Sequence, residues 1–196
     1  MPSNVWQAWQ FIAAKAVRPR VTSVGFVSRF DAVWCVSGAA CPADRSACRV
    51  QGQLIPRVRS MAMNMWLNGP GWGSARGERG TGWRKFFKLD AITDPGPSET
   101  FVFLDEREDS INDGTFVVDM AGWPNQTSQY RIIDYPASYH NGAGGFSFAD
   151  GHSEIKRWQD PRTMLELARG RLIPLNVPSP NNRDVAWMQS KATRPD

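Results

Sequence analysis

The segment Tyr139–Trp158, YHNGAGGFSFADGHSEIKRW, constrains this chain more than any other. It holds both histidines, His140 and His152, and sets Asp150-Gly151 between two alternating runs. Asp-Gly in that setting is a strong hairpin signal, because a type I′ turn needs positive φ at both central residues. A two-residue turn would set Ala149 opposite His152, Phe148 opposite Ser153, Ser147 opposite Glu154 and Phe146 opposite Ile155. Alternation then predicts an apolar face of Phe146, Phe148 and Ile155, and a polar face carrying Ser147, Ala149, His152 and Glu154.

Two readings of the hairpin compete. His140, Asp150 and His152, with Glu154 on the same strand face as His152, contain the groups of an acid/base or metal site. Turn chemistry explains Asp150-Gly151 without catalysis: Asp150 makes the turn and its side chain caps backbone N–H groups. His140 would then fix the start of the loop by hydrogen bonding to backbone or to Asp150. The structural reading is the one expected, and no catalytic residue is assigned. Ser147 lies in no nucleophile elbow.

A second block, Ser98–Asp119, reads SETFVFLDEREDSINDGTFVVD. The run 101–104 is expected as a buried strand, with 115–118 as its antiparallel partner. The loop between them places Asp105, Glu106, Glu108, Asp109, Asn112 and Asp113 close together. Calcium takes about 6–8 oxygen ligands of this kind, so calcium is the cofactor to expect if there is one. The spacing is not that of an EF-hand. The competing expectation is a solvated loop whose charges pair with Arg107 and neighbouring arginines.

The remainder is punctuated by 17 Gly and 14 Pro. Trp6, Trp9, Ala13 and Val17 have helical spacing before Pro19, and Val21–Val36 is β-prone without clear alternation. Gly69–Gly82 is glycine-rich and expected as a loop. A short strand is expected near Tyr130–Ile133. Asp160-Pro161 opens an expected helix with Met164, Leu165 and Leu167 on its apolar face and Gly170 as its stop. Pro174–Pro180 reads as an extended link. A final helix is expected over Asn182–Ser190, with Val185, Trp187 and Met188 inward.

Bulk properties exclude several classes. In 196 residues the net charge is +4, with arginines scattered and no basic stripe, so nucleic acid is not an expected partner. Apolar content of 41% and a mean hydropathy of −0.43 describe a globular chain. The best early apolar run, Val5–Val17, is too short and too interrupted to span a membrane, and its basic residues follow it rather than precede it. Cys35, Cys41 and Cys48 lack zinc-site spacing. Cys41 and Cys48 could pair in an oxidising compartment, or all three could be thiols. Nine Trp are a heavy load. Trp66, Trp72, Trp83, Trp123 and Trp158 are expected in packing, with a glycan-stacking surface as the alternative.

His140, nine residues, then Asp150-Gly151 resembles the H-X9-DG signature of a bacterial family of pseudopilin-like, prepilin-type processing-associated proteins. Tyr139, Asn141-Gly142 and Phe148-Ala149-Asp150-Gly151-His152 extend the likeness. Cys41-Pro42-Ala43-Asp44-Arg45-Ser46 and Arg59-Ser60-Met61-Ala62-Met63-Asn64 look like the family's segments after its anchor helix. Residues 1–40 do not resemble the family's peptidase site and long apolar helix, so the expected division is a poorly assignable 1–40 and a globular domain over 41–196.

The resemblance implies a pseudopilin-like head of α+β class: a small antiparallel sheet over 100–104, 115–119, 145–149 and 152–158, short helices and long loops. It implies a non-enzymatic subunit of a type II secretion or type IV pilus-like assembly at the bacterial cell envelope. Its partners would be other pseudopilin-like subunits or secretion-assembly proteins. Without the anchor helix such a chain is expected to be monomeric or weakly associating. The alternatives are a hydrolase or carbohydrate-active protein using the acidic loop and the histidine hairpin, and a calcium- or glycan-binding cell-surface module.

Overall fold

The computed structural model describes residues 44, 46–57, 60–68, 82–168 and 171–196. The expected helix over 6–17, Cys35, Cys41, Trp72 and almost all of the glycine-rich loop lie outside them. The chain divides into two compact units, residues 1–60 and 61–196. In the first, β1 (Ala47–Val50) and β2 (Gln53–Pro56) form an antiparallel hairpin. Its turn residues Gln51 and Gly52 both have positive φ, as a type I′ turn demands.

The second unit is α+β, as expected. It is built on a five-stranded mixed sheet of β3 (Met61–Asn64), β4 (Phe101–Asp105), β5 (Thr115–Phe116), β7 (Ala143–Phe148) and β8 (Ser153–Arg157), in the order β5-β3-β4-β7-β8. Beside it, β6 (Arg131–Ile132) pairs antiparallel with β9 (Val177–Pro178). One helix, α1 (Arg183–Ser190), closes the core, and three short 3₁₀ turns complete the regular structure among the described residues.

The core is aromatic. Phe101, Phe116, Phe146, Phe148, Trp66 and Trp158 are buried, with Leu104, Ile132, Ile133, Val185 and Met188 around them. Phe146 meets Phe101, Trp158 and Trp187 edge-on at centroid distances of 5.5, 5.8 and 4.9 Å, the arrangement ring quadrupoles favour. Asn182 caps α1 by accepting from the Asp184 and Val185 N–H groups. Asn64, fully buried, donates to the Phe101 and Ala192 carbonyls and accepts from Trp66 N–H, which ties β3, β4 and the C-terminal segment together.

Three local expectations are corrected. First, 115–116 does not pair with 101–105. It runs parallel to β3 at the sheet edge, with Met63 opposite Thr115, and β3 lies between it and β4.

Second, the hairpin register is one residue off. Ser147 pairs with Ser153, Phe146 with Glu154 and Gly145 with Ile155. Phe148 N–H donates to the His152 carbonyl and Gly151 N–H to the Phe148 carbonyl, so Ala149-Asp150-Gly151 is a three-residue loop closed by Phe148 and His152. Gly151, at φ +95°, supplies the positive φ that such a loop needs at its third position. A slip of one residue moves every side chain of the second strand to the other face. Ile155 is therefore 62% exposed rather than in the core.

Third, the helix expected over 160–170 does not form over its described part, residues 160–168. Asp160 does cap Arg162 N–H, but regular bonding stops after a single turn at Met164 N–H to Pro161 C=O. Leu165 and Leu167 are exposed. The Leu165 and Glu166 carbonyls accept from the Arg107 guanidinium, and Ala168 N–H donates to Asp109. The Arg107–Asp109 ion pair, far off in sequence, has taken backbone groups a helix would have used.

Candidate functional site

Strand β7 runs between the two ends of the H-X9-DG motif. His140 precedes it and Asp150-Gly151 turns the chain after it, so the nine intervening residues amount to the strand and its short flanks. At the first end, His140 N–H donates to the Ala143 carbonyl, and its Nε2 lies 3.4 Å from Oδ2 of Asp105 on the neighbouring β4. The same Oδ2 accepts Gly145 N–H at 3.1 Å. His140 therefore meets Asp105, not Asp150. At the other end, Asp150 Oδ1 accepts His152 N–H at 3.1 Å and sits 2.6 Å from His152 Nδ1. The His152 ring stacks flat on Phe148, with centroids 4.4 Å apart and an interplanar angle of 6°. Hydrogen bonds from His152 hold the exposed Asp150 carboxyl below its usual range. The two histidines thus belong to different ends of one strand, each with its own aspartate.

The acidic loop is not a solvated loop. Asp105, Glu106 and Asp109 are buried, Glu108 and Asn112 are half-buried, and Asp113 is exposed. Asp109 takes a two-point contact from Arg107: Nε reaches Oδ1 at 2.5 Å and Nη2 reaches Oδ2 at 2.8 Å. Burial pushes the Asp109 carboxyl up. The Arg107 hydrogen bonds and charge, with Ala168 N–H, outweigh this and hold it below its ordinary value. Glu106 Oε1 accepts from Ser110 Oγ, which in turn accepts Tyr135 N–H. Glu108 N–H donates to the Tyr139 hydroxyl. Asp113 Oδ1 caps Thr115 through its N–H and its hydroxyl. Four of the candidate calcium ligands, Asp105, Glu106, Asp109 and Asp113, therefore have separate partners. Among the described residues no group of three or more His, Cys, Asp or Glu is arranged to hold a metal ion.

One buried carboxyl beside this loop carried no sequence signal. Asp134 accepts Val117 N–H at 2.7 Å through Oδ2. Burial pushes its pKa up to about 7, against the pull of that N–H and with a push from Asp113.

A separate cavity of about 510 Å³ opens on the same unit, lined by Trp66, Trp83, Asp119, Met120, Ala121, Gln129 and Arg131. Trp66 and Trp83 were legible as aromatics. Asp119 was not legible as a neighbour of Gln129 and Arg131, because the two stretches of chain share no motif.

Comparison of the chain with protein-family models, curated proteins and solved structures finds no match. No helix among the described residues is long and apolar enough to cross a membrane.

Proposed function

We propose that this chain is a non-catalytic globular subunit of a type II secretion or type IV pilus-like envelope assembly, acting by subunit packing or surface display. The observation that carries the reading is the placement of the H-X9-DG motif. It brackets one sheet strand, with His140 held against Asp105 at one end and Gly151 turning the chain at the other. A motif built this way secures the last hairpin of the sheet, which supports a mechanical rather than a chemical role for it. The residues that carry the family resemblance thereby acquire a mechanical role, and the edge strand β8 keeps Glu154, Lys156 and Arg157 along its length. Charges of this kind on an edge strand discourage indiscriminate strand pairing.

The test is fractionation of the producing cell followed by cross-linking mass spectrometry on sheared surface filaments. The reading expects this chain in the envelope or filament fraction, cross-linked to pilin-like subunits. A chain found in the cytosol, with no cross-link to any envelope subunit, would overturn it.

A further inference from the structure

Strand β8 is an open edge of the five-stranded sheet. At the other edge β5 is only two residues long, too short to template another strand. β8 has five residues, and its outward side meets no strand among the described residues.

The ladder with β7 fixes which backbone groups face out. Trp158 N–H donates to the Gly142 carbonyl and Phe148 N–H to the His152 carbonyl, each residue bonding the one opposite it. Hydrogen-bonded and non-hydrogen-bonded pairs alternate along an antiparallel ladder. Glu154 and Lys156 therefore turn their N–H and C=O groups to β7, and Ser153, Ile155 and Arg157 turn theirs to solvent. Ile155 is 62% exposed, and Gly145 opposite it has no side chain to cover it. An unpaired edge with an exposed apolar residue at its centre is a template for another strand.

The side chains of this edge complement themselves. An added antiparallel strand must set outward-facing residues opposite its own. When the added strand is a second β8, one such register centres on Ile155. Ile155 then faces its own copy, Ser153 faces Arg157, and Glu154 faces Lys156. The charged pairs fall at non-hydrogen-bonded positions, where opposed side chains come closest. The next allowed register in one direction sets Glu154 against Glu154, and in the other Lys156 against Lys156. Like charges directly opposite one another are destabilising, so the register on Ile155 is the one selected. The Lys156 ammonium lies 5.1 Å from the Trp187 ring centroid, which holds it on the sheet face it shares with Glu154.

We propose that β8 pairs antiparallel with β8 of a second copy of this chain, about a two-fold axis through Ile155. The two sheets join into one, and the exposed Ile155 side chains cover each other. The charges that reject an arbitrary strand select this partner and this register. Such an interface is isologous and closes with two copies. A five-residue strand buries less than a standard interface, so the dimer is weak and fills at high concentration. The inference goes beyond the proposed assembly role and does not rest on it.

The test is sedimentation equilibrium of the full chain from about 10 μM to 1 mM, where weak complexes dissociate, with amide hydrogen exchange at both ends of the range. The expected result is a monomer–dimer equilibrium. Exchange at Ser153, Ile155 and Arg157 slows as concentration rises, while Glu154 and Lys156, already bonded to β7, do not change. Glu154→Lys and Lys156→Glu are each expected to weaken the dimer by roughly tenfold or more. The double variant restores it, and an equimolar mixture of the two single variants forms a heterodimer. Unfolding temperatures identify any variant that has lost its fold, and the amide pattern of the unmodified chain needs no variant. A monomer at every concentration overturns the proposal. So does a dimer that both folded single variants retain, or one that leaves the Ser153, Ile155 and Arg157 amides unprotected.

Discussion

His140 Nε2, ahead of β7, and Asp105 Oδ2, on β4, lie 3.4 Å apart, and the same carboxylate oxygen holds Gly145 N–H. One aspartate thus fastens both the segment before β7 and the strand itself. Asp105 is buried, so its removal leaves Gly145 N–H without its acceptor. Asp105→Ala is expected to destabilise the protein by about 1–3 kcal/mol, the usual cost of an orphaned buried donor, measured by urea unfolding at constant m-value.

Arg107 and Asp109 act as a second fastening. The guanidinium gives two further donors to the Leu165 and Glu166 carbonyls, and Asp109 accepts Ala168 N–H. Removing Asp109 leaves the Arg107 charge buried and Ala168 N–H without its acceptor. Asp109→Ala is expected to cost roughly 3–5 kcal/mol and to raise proteolytic cleavage within 160–168. Limited proteolysis beside an unfolding curve reads both effects, and an unchanged cleavage pattern would show that the pair does not hold this segment.

Gly144 is the tightest point of the hairpin. A Cβ there would stand 2.8 Å from the Ala137 carbonyl oxygen and 3.2 Å from the Trp158 ring. The carbonyl is backbone and cannot swing aside. Trp158 is itself fixed by its N–H donating to the Ala137 carbonyl. Gly144→Ala is expected to lose about 1–3 kcal/mol by overpacking, with a matching loss of near-ultraviolet circular dichroism from the tryptophans.

Asp134 gives a pH dependence of definite sign. Its folded pKa of about 7 stands above the ordinary 3.8. Below about pH 4 the carboxyl is protonated in both states and contributes nothing. Between about pH 4 and 7 the folded protein keeps a proton that the unfolded chain releases, so this group makes stability fall as pH rises. Above that window the loss is complete, on the order of a few kcal/mol. Asp134→Asn keeps an acceptor for Val117 N–H and removes the ionisation. It is expected to be more stable than the parent at pH 8 and to lose most of that advantage at pH 4, as read from unfolding midpoints at the two pH values.

The elements that could be read from sequence were those fixed by local chemistry. The apolar run at Phe101–Leu104 became β4, and the Asn182-capped helix appeared with Val185 and Met188 inward. The hairpin was legible, but its register was not. Asp-Gly serves a two-residue turn or the end of a three-residue loop equally well, and the choice here goes with Phe148 stacking on His152.

Long-range partners decided the rest. Asp160–Gly170 has good helix signals, yet Arg107 and Asp109 claim its backbone groups from some sixty residues away. The parallel pairing of Thr115–Phe116 with β3 depends on a strand from a distant part of the chain. The acidic loop was conspicuous in sequence and its pairing with Arg107 was among the expectations, but the burial of Asp105, Glu106 and Asp109 and the bonds to residues 165–168 are tertiary outcomes. Asp134 and Asp119 left no trace, because an isolated aspartate says nothing of its burial.

The central claim is that the H-X9-DG motif is a clasp on β7, and hydrogen exchange at Gly145 tests it most directly. His140→Ala should leave the protein folded while loosening Asp105 and lowering the protection of the Gly145 amide by roughly tenfold or more, equivalent to about 1.4 kcal/mol of local opening. Gly145 protection that equals the parent's in the folded variant would contradict the account.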